Sequence, residues 1–155
     1  MNHRRRLVLA GFAVTPLAVA LSACGNKGTW PEGMAEIKWD RDTCTRCSMV
    51  ISDRRFAAQI RGGEKNTAFK FDDIGCVVVW LRDKKAEFPW MEDPSTRFWV
   101  ADVTGKGERW LDPKKAYFLG GKTSPMGYNH GAVGYPQAGA FDWQEMSRHV
   151  LASGK

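Results

Sequence analysis

Two thiols and a thioether stand within six residues of this chain, at Cys44, Cys47 and Met49. Sulfur at that density suits a soft metal ion: thiolates and thioethers select Cu(I), imidazole serves several metals, and carboxylates suit magnesium or calcium. Met49 is the discriminating residue, because two cysteines with two residues between them also make half a zinc site or a thiol-disulfide pair. Arg46 lies between the cysteines, where it either favours the ionised thiol or is a plain surface charge. A further sulfur stands far along the chain at Met126, in a loop of Ser, Pro, Gly and Asn, with His130 four residues later. Met126 is either a further soft ligand or a side chain filling a gap under its own loop. His130 either adds a nitrogen donor to the candidate set or is an incidental histidine near glycine. Cys76 falls inside an apolar run and is expected in the core, where free cysteine is commonly found.

The elements that must position these residues follow a targeting segment. Arg4, Arg5 and Arg6 precede an apolar stretch too short to span a bilayer, which ends at Leu21, Ser22, Ala23 and Cys24. Residues 1–23 read as an export signal, with cleavage before Cys24 and acylation of its sulfur; two or more acyl chains then hold the protein on a membrane it does not cross. Export places the cysteines in an oxidising compartment, where Cys44 and Cys47 can close a disulfide unless a metal keeps them reduced. Met49 keeps its ligand capacity in either state, short of sulfoxide formation. Three of the six units of net positive charge leave with the signal. The remaining basic residues are scattered, which argues against nucleic acid as a partner.

Residues 24–38 read as a lipidated N-terminus and flexible tether, and residues 39–155 as one folded domain. Six of the seven tryptophans follow residue 38 and supply much of its apolar area. Residues 56–60 and 67–71 have strand character around a Gly62, Gly63 turn. Asp72 and Asp73 then precede an apolar run, residues 74–81, that reads as a capped helix ending near Lys84 and Lys85, although its three valines equally suit a buried strand. Adjacent acids at a helix start are ordinarily capping and dipole-complementing groups. Residues 88–94 are a connection. Residues 98–103, 110–111 and 116–119 repeat the strand grammar, and residues 141–152 form a helix whose apolar members share one face. The expectation is an α+β fold of two similar small lobes, about 39–90 and 95–155, each a short antiparallel sheet with a helix.

Taken in order, the Leu21 to Cys24 lipobox, Cys44, Cys47 and Met49, the Phe71, Asp72, Asp73 run, Ala116, Tyr117 and Phe118, and Ser124, Pro125, Met126 and Gly127 resemble the NosL family. These are small membrane-anchored copper proteins associated with maturation of nitrous oxide reductase in denitrifying bacteria. The resemblance runs through nearly the whole mature chain. It implies a carrier and not an enzyme, binding one Cu(I) through a subset of Cys44, Cys47, Met49, Met126 and His130. It also implies a position facing the periplasm, and transient encounters with nitrous oxide reductase and its membrane-bound assembly machinery.

Two other classes compete. A thiol-disulfide oxidoreductase would use Cys44 and Cys47, but its motif ordinarily opens a helix after a βαβ pattern, and here a strand-like run surrounds it. Structural zinc needs four good ligands, and the chain lacks a second close pair of Cys or His.

Overall fold

The computed structural model describes residues 30–155, so the signal, Cys24 and the start of the tether lie outside the described residues. The fold is α+β, with two small antiparallel sheets and two helices. The first sheet is built on the hairpin of β1 (Ala58–Gly62) and β2 (Thr67–Phe71), with Ala58 opposite Phe71. β3 (Arg97–Ala101) pairs with the other side of β1, and β4 (Trp110–Leu111) completes the order β2-β1-β3-β4. The second sheet has the order β6-β5-β7, from β5 (Tyr117–Leu119), β6 (Gly131–Val133) and β7 (Ala140–Phe141).

The strands do not divide where the sequence suggested. β3 and β4, assigned by their position to the second lobe, belong to the sheet of the first, because β1 offers two edges and only one is taken by β2. Burial on both sides of β1 is what joins the halves: Ala58 and Ile60 are buried there, and so is Gln59.

α1 (Ile74–Lys84) resolves the valine run as a helix. Asp73 holds an extended backbone and accepts the Gly75 amide at 2.9 Å, a start signal that outweighs the strand preference of three valines. Residues from Ile74 to Trp80 are all buried, so the first two turns of the helix are closed off all round, and the helix packs on β2 and on α2 (Trp143–Ala152). Asp142 caps α2 by accepting the Glu145 amide at 2.8 Å, and Met146 and Val150 are its buried residues. Leu151, expected on the same apolar face, is exposed. Each large side chain closed into this core, such as Phe71 or Phe118, contributes roughly 1.5–3 kcal/mol.

The tether is shorter than expected. Residues 30–38 are folded onto the domain: Met34 and Ile37 are buried, and Trp30 lies against Trp39 and Trp110. The Gln59 side chain donates to the Ala35 carbonyl and accepts its amide, both at 2.8 Å, which explains a buried glutamine in the middle of the sheet. Composition suggested a linker because the anchors are few among Gly, Pro and Glu.

Candidate metal centre

Cys44 and Cys47 sit at the tip of a small hairpin. Its arms are joined by the Ile51 amide to the Asp42 carbonyl at 2.9 Å and by the Thr43 and Val50 bridge. The tip is closed by the Cys44 amide donating to the Met49 carbonyl at 2.7 Å and the Ser48 amide donating to the Cys44 carbonyl at 2.9 Å. Ser48 takes a positive φ of 62° to make that turn. The hairpin docks on β2: the Thr45 amide reaches the Lys70 carbonyl at 2.8 Å, and the Lys70 ammonium bonds the Asp42 carboxylate. Two residues after Lys70 the chain leaves the sheet at Asp72, and Cys76 follows in the first turn of α1.

These local structures bring one ligand atom from each of Cys44, Cys47, Asp72 and Cys76 within 4.8 Å of one another. All three cysteines are thiols. Cys44 and Cys76 are buried, Cys47 is partly open, and the Asp72 side chain is closed off. The Cys47 thiol donates to both Asp72 oxygens, at 3.4 and 3.6 Å. Four donors on one metal at about 2.3 Å would lie roughly 3.8 Å apart, so a small contraction makes this a coordination sphere.

The other expected ligands are placed differently. Met49 gives its carbonyl to the hairpin tip and is 45% exposed. Met126 is partly buried against the core, and its loop is fixed by Asp73, whose second oxygen accepts the Ser124 hydroxyl at 2.6 Å and the Met126 amide at 3.1 Å. One carboxylate therefore caps α1 and holds the methionine loop beside the cluster. Tyr128 packs on the first turn of α1 at Gly75, where a β-carbon would lie 2.0 Å from the ring. His130 is buried, its ring near those of Phe141 and His149, with Nδ1 unpartnered among the described residues.

Sequence reading missed two members of the cluster. Cys76 is core, as expected, but its sulfur also belongs to the metal-ligand group; Asp72 is not the capping residue, that role being taken by Asp73 alone. The available signal was the Asp72 and Cys76 pair, four residues apart across a strand-to-helix junction. With them the sequence objection to zinc falls away, because four ligands are present.

The electrostatics describe a site charged on one sulfur. The Cys76 thiol donating to Cys44 lowers the Cys44 pKa to about 4, against the effect of its burial. Burial first, and then the neighbouring Cys44 charge, push Cys47 up to about 12. Cys76 is raised because it gives its hydrogen to Cys44. Asp72 is raised to about 6, chiefly by burial and next by Cys44. Burial and the neighbouring Cys44 thus keep the Cys47 and Cys76 thiols protonated in the metal-free site.

The fold is α+β and its cluster of three thiols and a carboxylate can hold a metal ion. No family model matches the chain, and no curated protein matches it. Among solved structures, the crystal structure of the copper chaperone NosL from Shewanella denitrificans is similar, at 15% identity over 79% of this chain and 89% of that one, with a TM-score of 0.47. That likeness is loose, and the metal-binding capacity rests on the cluster itself.

Proposed function

We propose that this chain is a Cu(I) carrier. The observation that carries the reading is the convergence of Cys44, Cys47 and Cys76 with Asp72. Three thiolates make a soft set suited to Cu(I), while Asp72 accepts a hydrogen bond from the Cys47 thiol in the metal-free state. In this reading Met49, in the hairpin that carries Cys44 and Cys47, and Met126, in the loop pinned by Asp73, serve as neutral, weaker ligands, through which a partner's ligand can replace the carrier's without freeing the ion. In this reading the protein is exported, acylated at Cys24, faces the periplasm, and gives its copper to nitrous oxide reductase during maturation of its copper centres. Titration of the reduced chain with Cu(I) against a chromogenic chelator tests the carrier reading. One equivalent should bind, with most affinity lost in Cys44→Ser combined with Cys47→Ser; wild-type binding by that double variant overturns it.

A second reading, structural zinc, is favoured by one observation: Asp72 supplies the fourth, oxygen ligand that a closed tetrahedral site takes. Competition between Zn(II) and Cu(I) separates the two. The carrier reading requires that Cu(I) displace zinc and that the metal-free domain stay folded.

A further inference from the structure

We propose that the aromatic edge formed by Trp30, Trp39 and Trp110 rests on the bilayer surface and holds the sulfur cluster on the side facing away from it. The proposal builds on the reading of Cys24 as the acylated residue. Trp30 is stacked 5.9 Å from Trp39 and lies 5.6 Å from Trp110. Trp110 belongs to β4, one outer strand of the first sheet. Six residues of chain from Cys24 to Trp30 reach at most about 20 Å, so an acyl group at the surface keeps this edge near the headgroups. The cysteine hairpin is docked on β2, the opposite outer strand, three strand spacings or about 14 Å across the sheet.

The chemistry of the edge suits that position. All three indoles are half-buried, and tryptophan settles at membrane boundaries because its ring is apolar with one polar hydrogen. The Arg54 guanidinium lies 5.2 Å over the Trp39 ring. Arg97 and Lys114 stand nearby together with the acids Glu32 and Asp112, so the surrounding charge is mixed. Indole partition, more than attraction to anionic lipid, then sets the contact, and phosphatidylcholine suffices as the surface.

The test uses the full acylated chain labelled with 5-fluorotryptophan and bound to phosphatidylcholine vesicles carrying a gadolinium-chelate headgroup lipid. Each fluorine resonance is assigned by a single Trp→Phe variant. Resonances of Trp30, Trp39 and Trp110 should broaden several-fold more than those of buried Trp80 and of Trp90, which covers the β1–β2 turn at Gly62 and Gly63. Equal broadening of all the tryptophans, or broadening led by Trp90, overturns the orientation while leaving the anchor intact. Failure of the acylated chain to float with the vesicles overturns the anchor reading and this proposal together.

Discussion

The Cys47 thiol donates to the Asp72 carboxylate at 3.4 Å, joining the tip of the cysteine hairpin to the junction between β2 and α1. Burial and the Cys44 charge set the proton inventory of the metal-free site. Cys44 carries the charge, Cys47 and Cys76 keep their hydrogens, and Asp72 titrates near neutrality.

Metal loading must therefore expel protons. Cys47 and Cys76 both sit above their ordinary thiol range, so binding as thiolates releases about two protons per ion at neutral pH. Each lost pH unit should weaken apparent Cu(I) affinity by about a hundredfold. Competition titrations at several pH values check this, and a flat profile would remove the second and third thiolates from the sphere.

Asp72 gives the opposite sign for stability without metal. Its pKa in the folded chain, about 6, lies above that of an unfolded aspartate, so its favourable contribution is complete below the ordinary carboxylate range and is lost as pH rises through about 6. Asp72→Asn should stabilise the metal-free protein at neutral pH by on the order of 1–3 kcal/mol, with little effect in acid. Urea unfolding at two pH values measures it.

Asp73→Ala removes the α1 cap together with the bonds to Ser124 and the Met126 amide. A destabilisation of about 2–4 kcal/mol is expected, reduced by the relief of a buried acid whose own pKa is raised by burial. Chemical unfolding gives the size. Met126→Ala should instead leave stability within about 1–2 kcal/mol and weaken copper binding, since that side chain is only partly buried. Unchanged copper affinity in the reduced variant excludes Met126 as a ligand.

Gly75→Ala tests the seating of the methionine loop. The new methyl meets the Tyr128 ring, so the loop must move at a cost of about 1–3 kcal/mol, and methionine methyl resonances should shift at Met126 more than at Met49.

Much of this was legible in the chain. β2 and the start of α1 follow from a strand pattern and a capping acid, and the two cysteines announce themselves by spacing. The pairing of β3 with β1 was hidden because sequence order does not say which edge of a strand is free. Cys76 was hidden because a buried thiol in an apolar helix has the same sequence context whether it packs or ligates. Asp72 and Asp73 look alike in sequence, yet a single residue of offset at a helix start sends one carboxylate to the helix amides and the other to the thiols.

The most direct measurement is X-ray absorption of the Cu(I) form of the wild-type chain and of Cys76→Ser. At least three sulfur ligands at about 2.3 Å are expected in the wild type, one fewer in the variant, with an affinity loss of at least about a hundredfold. A spectrum and affinity unchanged by Cys76→Ser would contradict it.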